Sequence, residues 1–264
     1  MKHHAAKILK YELHNLVRSK WLIALAAVLA AVTELLFRFG GDPAKVVTSL
    51  MNIVLVVVPL LSVVLGVITF YNAREFNELL LAQPTNRTSI YLGKLAGFSL
   101  ALCLALVVGL GLPFLLHGFA LRMYAARMAT LLGVGCCFVL IFAALAFYAA
   151  TRFEDRIKGL GATLLVWFFL AVVWDGLILL FVHTFHAYPY EGALMGLVFL
   201  NPIDLGRILV LLQLDISALM GYTGAVFRRV FGTDTGLAIS AAAMVVYATV
   251  PVLFGLRTFR RKDL

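Results

Sequence analysis

The chain has 264 residues, of which 63% are apolar and only 13% charged. A soluble domain of this size holds about 45–50% apolar and about 25% charged residues, so the surplus must face lipid and a soluble fold is excluded. The net charge of +9 comes from basic residues that flank apolar runs without forming a stripe interleaved with aromatics; it reads as membrane topology and lipid headgroup contact, not nucleic-acid binding.

Residues 1–20 carry five Lys/Arg and predict a basic amphipathic helix. Ile8, Leu9, Leu13, Leu16 and Val17 recur at helical spacing, with Lys7, Lys10, His14 and Arg18 on the other face. Such a segment lies along the membrane interface, and Trp21 follows as an interfacial aromatic. It is too long and mixed for the short basic region of a signal peptide, so no cleavage is expected and the first apolar run is read as a permanent anchor.

A helix needs about 20 largely apolar residues to cross a bilayer. Six runs qualify: Trp21–Phe39, Leu50–Phe70, Ile90–Leu116, Ala129–Ala149, Leu160–Val182 and Thr235–Leu256. Between the last two lies 183–234, whose apolar stretches, such as Ile208–Leu214, are too short to span and suit interfacial or re-entrant helices. Gly93-x-x-x-Gly97, at the start of the third span, permits close approach of another helix. Cys103, Cys136 and Cys137 all lie inside apolar runs and have neither disulfide nor zinc spacing, which makes them packing thiols.

The fold class expected is all-α, a polytopic membrane protein in one transmembrane domain over 1–264. It has six spans, an N-terminal amphipathic helix (1–20), a loop at 72–88 and half-helices within 183–234. The ends assigned to the cytoplasm carry fifteen Lys/Arg and the opposite ends seven, which puts both termini inside.

Signatures of chemistry are missing. The sequence contains no GxxxxGK[ST], HExxH or GxSxG, and the histidines sit in the N-terminal helix or at outer span ends. No catalytic, cofactor or metal residue is therefore assigned. His183-x-x-His186, with Met195 nearby, has the spacing for a soft metal but lacks a third ligand of definite spacing, and interfacial hydrogen bonding is the reading preferred. Glu34 and Arg38 lie four apart in the first span, and Asp175 stands beside Trp174 in the fifth. These charges serve either a substrate path or anchoring near the outer interface.

The loop between spans two and three is the strongest signal. Phe76, Leu79 and Leu80 share one helical face, Arg74, Glu75 and Glu78 supply the polar one, and Pro84 ends the helix. Such a helix suits docking into a groove on a cytoplasmic partner, and equally an ordinary interfacial loop.

The pattern Arg74-Glu75, Glu78-Leu79-Leu80, Pro84, Arg87, Ile90, Gly93-Lys94 resembles the coupling-helix loop of ABC transporter permeases of the type 2, exporter-like class. Many members carry Gly-Thr-Leu between the acidic residues, where this chain has Phe76-Asn77. Asn201-Pro202-Ile203-Asp204-Leu205-Gly206-Arg207, followed by Ala218-Leu219-Met220-Gly221-Tyr222-Thr223-Gly224-Ala225, resembles the NosY group of that class, which serves copper-related maturation of nitrous oxide reductase.

The resemblance implies a bacterial inner-membrane permease that works as a homodimer with a cytoplasmic ATPase. That ATPase, not this chain, binds ATP and Mg. A periplasmic β-helix copper-handling protein would be a further partner. Arg74, Glu75, Phe76, Glu78, Leu79, Leu80, Pro84 and Arg87 would then couple to the ATPase. Asn201, Pro202, Asp204, Arg207, Gly221, Tyr222, Arg228 and Arg229 would form either a periplasmic docking surface or an outer gate. Two other functions stay open: export of a lipid, drug or other hydrophobic solute, and membrane anchoring or assembly without transport.

Overall fold

The computed structural model describes residues 2–40, 43–74, 86–117, 125–185, 191–213 and 234–261, and every regular element among them is helical. In chain order these are α1 (Lys2–Val17), α2 (Lys20–Gly40), α3 (Pro43–Asn72), α4 (Arg87–Leu116) and α5 (Ala125–Arg152). The fifth crossing is α6 (Arg156–Phe168), one wide π turn (Phe169–Val173) and α7 (Trp174–Phe185). Then come α8 (Glu191–Phe199), α9 (Pro202–Gln213) and α10 (Asp234–Arg261).

Six of these helices are long and apolar enough to cross a membrane, and they coincide with the six runs expected. Each is limited by local chemistry. Asn86 caps α4 by accepting from the Thr88 amide at 3.0 Å, and Asp155 caps α6 by accepting from the Ile157 amide at 2.8 Å. Within the spans, Thr33, Ser62 and Ser240 return their hydroxyls to the carbonyls of Leu29, Val58 and Gly236, so these polar groups bury at little cost.

The fourth span, α5, is the centre of the packing, with 61% of its apolar window buried, whereas the fifth span buries none of its own. Helices α3, α4 and α10 pack around α5, and α2 and α1 lie against α4. At one end of the bundle Phe70, Tyr91, Phe98, Phe147 and Phe259 from four different helices meet in one aromatic cluster, with ring centroids 5.3 Å apart for Phe70–Phe147 and 5.6 Å for Tyr91–Phe259. Each such contact contributes about 0.5–1.5 kcal/mol beyond the area it buries.

The N-terminal helix differs from a purely interfacial one. Ile8, Leu13 and Leu16 pack against the protein core, and α1 seats on the start of α4. Gly97 makes the seat: a Cβ there would stand 2.7 Å from the Cβ of Glu12 and 3.3 Å from the carbonyl of Leu9. The close approach anticipated at Gly97 is made by α1.

Candidate functional site

The loop between spans two and three begins and ends at joints between spans. At its start, the Tyr71 hydroxyl donates to the carbonyls of Phe153 (2.8 Å) and Asp155 (3.1 Å), in the short turn linking spans four and five. Arg74 reaches the Glu154 carbonyl at 3.5 Å, and Arg156 reaches the Asn72 side chain at 3.4 Å. Gly159 makes room for this joint, since a Cβ there would lie 2.5 Å from the Tyr71 hydroxyl. Where the chain re-enters the bundle, Arg87 donates to the carbonyl of Arg260 at the end of span six, at 3.3 Å. The aromatic cluster lies just inside these joints, on the same helices.

Of the residues expected to couple to a partner, Arg74 and Arg87 thus sit at the two joints. Glu75, Phe76, Glu78, Leu79, Leu80 and Pro84 lie outside the described residues.

Two charged residues that sequence reasoning passed over belong to this end. Glu12 is only 6% exposed and Lys94 only 4%, and their charges act on each other across the α1–α4 contact. Burial raises the Glu12 carboxyl above its ordinary value, and the Lys94 ammonium partly offsets this. A signal existed: Glu12 stands four residues from both Ile8 and Leu16, in the apolar row, and Lys94 stands four from Ile90 and Phe98.

At the opposite end, α8 and α9 form a hairpin bent by 111°. Neither helix, at 9 and 12 residues, is long enough to cross a bilayer, so the pair is a re-entrant loop. Asn201 turns it. The Asn201 Oδ1 caps α9 by accepting from the Ile203 amide at 3.0 Å, and Pro202 takes the first helical position, where its missing N–H costs nothing. The Asn201 Nδ2 donates to the Leu170 carbonyl at 2.8 Å, inside the π turn, where widened backbone leaves a carbonyl available. Leu170 is the fifteenth of the thirty residues of Arg156–Phe185, so the tip of the hairpin meets span five at its middle.

The ionisable groups gather there. Arg207 donates to both oxygens of Asp175, at 3.0 and 2.9 Å, in the two-pronged geometry suited to a carboxylate, and also pairs with Asp204 at 3.0 Å. Asp204 in turn accepts from Asn201 at 2.9 Å. Trp174 donates to the Leu197 carbonyl and Tyr247 to the Phe199 carbonyl, which fixes the hairpin to spans five and six. Asn201 is fully buried and Asp204 only 4% exposed. Asp175 therefore pairs with a cation carried by another helix. Arg207 spends its guanidinium within the molecule. Gly221, Tyr222, Arg228 and Arg229 lie outside the described residues, as does His186.

Glu34 does pair with Arg38, at 3.0 Å, and its other oxygen stands 3.5 Å from His117, which stacks on Phe37. This cluster joins the ends of spans one and three that lie opposite the loop. The Cys103 thiol lies 3.9 Å from the Cys136 carbonyl.

Six crossings, a laced loop at one end and a re-entrant polar hairpin at the other define a polytopic helical membrane protein with two working ends. Residues 44–264 match the family described as ABC-2 family transporter protein, and the chain belongs to that family. It is the permease subunit of an ABC transporter. Among curated proteins it is similar to the probable ABC transporter permease protein NosY of Pseudomonas aeruginosa, with 26% identity over 97% of this chain and 98% of the relative. It is also similar to the protein of the same name from Stutzerimonas stutzeri, again with 26% identity, over 97% of both.

Proposed function

We propose that this chain is the membrane half of an ATP-driven machine. A separate cytoplasmic ATPase carries ATP and Mg, and two copies of the chain assemble with it in the bacterial inner membrane, both termini inside. The observation that carries the reading is the lacing of the residues on either side of 75–85, Tyr71 and Arg74 before it and Arg87 after it. A push on that loop is delivered through Tyr71 to the turn between spans four and five, and through Arg87 to the end of span six. Stiff contacts transmit force where a loose loop would absorb it, and the aromatic cluster supplies the stiffness.

The far end receives the motion. The hairpin is bonded to span five through Asn201 and Arg207, so tilting that span moves the hairpin as one body. In the NosY-like version the moving hairpin and the following 214–233 segment work on a periplasmic partner in copper-related maturation. This version rests on the likeness to the NosY relatives. An apolar cleft of about 410 Å³ near the outer ends of spans three and four, lined among others by Val108, Leu112, Phe114 and Met128, favours a second reading, export of a hydrophobic solute.

Co-expression with candidate ATPases is the test. Retention of an ATPase through purification, and loss of coupled ATP hydrolysis on Glu78→Arg, are expected. An ATPase that is never retained, or labelling of residue 78 from outside intact cells, would defeat the proposal.

A further inference from the structure

The cytoplasmic end of α10 carries a stripe of side chains that the coupling contacts, made there to the Arg260 carbonyl, do not use. Leu253, Leu256, Arg257, Arg260 and Arg261 follow each other at three- and four-residue steps, share one helix face and line a groove of about 510 Å³. The face is graded along the axis. Two leucines lie toward the membrane interior, and three guanidiniums follow at the helix end. Leu253, Arg257, Arg260 and Arg261 are exposed, and among the described residues none of the three guanidiniums is paired with a carboxylate. Three like charges held this close repel unless an anion sits among them.

We infer that this groove binds one anionic phospholipid, its phosphate held by Arg257, Arg260 and Arg261 and an acyl chain lying along Leu256 and Leu253. The grading selects the occupant. A soluble anion has no use for the leucines, and an acidic protein surface has no use for an apolar strip that continues into a membrane span. A lipid with a charged head and an apolar tail matches both halves, and guanidinium forks fit phosphate oxygens in pairs. The site also has a position of consequence. The carbonyl of Arg260 is held by Arg87, so an occupied groove stiffens the joint at which the cytoplasmic loop meets span six. The inference rests on the membrane crossing of α10 and not on the ATPase reading, so the two can fail separately.

The test is native mass spectrometry of the full-length protein released from nanodiscs containing equal phosphatidylglycerol and phosphatidylcholine. One phosphatidylglycerol retained per chain is expected, in preference to phosphatidylcholine. Replacing Arg257, Arg260 and Arg261 together by Gln should lower that retention about 100-fold, because each basic residue near the anionic surface contributes roughly a factor of five. The triple Lys replacement keeps charge but loses the forks and should fall between. Should the triple Gln protein not fold, as judged by helical circular dichroism and elution, Arg261→Gln alone is expected to lower retention about fivefold. Equal retention of the two lipids, undiminished retention in the Gln variants, or displacement of the lipid by inorganic phosphate overturns the inference. So does shielding of the three arginines only when an ATPase is bound.

Discussion

Arg207 and Asp175 face each other through two parallel N–H···O bonds of 3.0 and 2.9 Å, joining a re-entrant half-helix to the fifth span across 32 residues of sequence. Nothing local explains this pair: Arg207 also bonds Asp204 on its own helix, but Asp175 reaches it from another one. It is the bond by which the outer hairpin follows span five.

Breaking it should cost more than a surface ion pair. Asp175→Asn or Arg207→Gln leaves the remaining charge in a partly buried, apolar setting, and a loss of about 1–3 kcal/mol is expected. The exchange of both residues, Asp175→Arg with Arg207→Asp, should recover part of it. Denaturant midpoints in detergent, combined as a double-mutant cycle, check this; a coupling energy near zero would mean the pair holds nothing.

Asn201 is expected to be the more sensitive position. Its amide bonds the Leu170 carbonyl and the Asp204 carboxylate while its oxygen caps α9, so Asn201→Leu strips the Asn201 bonds from the Leu170 carbonyl and the Ile203 amide and leaves Asp204 with Arg207. Several kcal/mol are at stake, since each such group costs about 1–3 kcal/mol. Expression in the membrane should drop sharply, and Asn201→Asp, which retains the cap but sets a carboxylate oxygen against the Leu170 carbonyl and Asp204, should recover only a small part of it. Equal expression of the Leu variant and the parent chain would contradict the buried hairpin tip.

At the joint between the loop and spans four and five, Tyr71→Phe removes one hydroxyl and the two contacts it donates, with little change of shape. Stability should fall by only about 1 kcal/mol. Coupling between ATP hydrolysis and the far end should fall much further, because the turn between spans four and five would no longer follow the loop. Gly159→Ala, which drives a methyl into the same hydroxyl, should act in the same direction. Measured ATPase stimulation that is unchanged in both variants would remove this joint from the force path.

Docking of α1 should depend on pH. The Glu12 carboxyl is raised by burial in the folded state, so docking favours its protonated form. A raised carboxyl contributes stability that is fully present below the unfolded value and is lost as pH rises through the folded one. Labelling of a cysteine placed at His14, which is exposed, should therefore quicken as pH rises through that range and should lose this dependence in Glu12→Gln. Gly97→Leu should undock the helix at every pH, because no side chain fits against Glu12 there.

His183→Ala and His186→Ala are expected to leave function intact, in keeping with interfacial rather than metal-binding roles. Copper titration of the purified chain measures this. A stoichiometric site abolished by either change would reverse the assignment.

Much of this fold was legible in one dimension. The bilayer imposes its criterion along the chain, so about twenty apolar residues announce a span regardless of their neighbours. The grouping of basic residues likewise sorted the connecting segments into two sets. The structure keeps them apart, with Tyr71, Arg87, Phe153 and Arg260 meeting at one end and Glu34 and His117 at the other. The i, i+4 pair of Glu34 and Arg38 was readable for the same reason, both residues lying on one helix.

What the chain alone left open depends on contacts between distant segments. Asp175 read as a substrate-path or anchoring charge without its partner because its cation arrives from α9, and Asn201 read as part of a docking surface or gate because its acceptor is a carbonyl in the π turn of another span. Glu12 and Lys94 sat at apolar positions of their helices, yet only the packing at Gly97 shows that they meet. Apolarity and charge placement are properties of single segments, and they determined the crossings. The depth of the hairpin and the seat of α1 are properties of pairs, and those were decided by which surfaces fit when the helices came together.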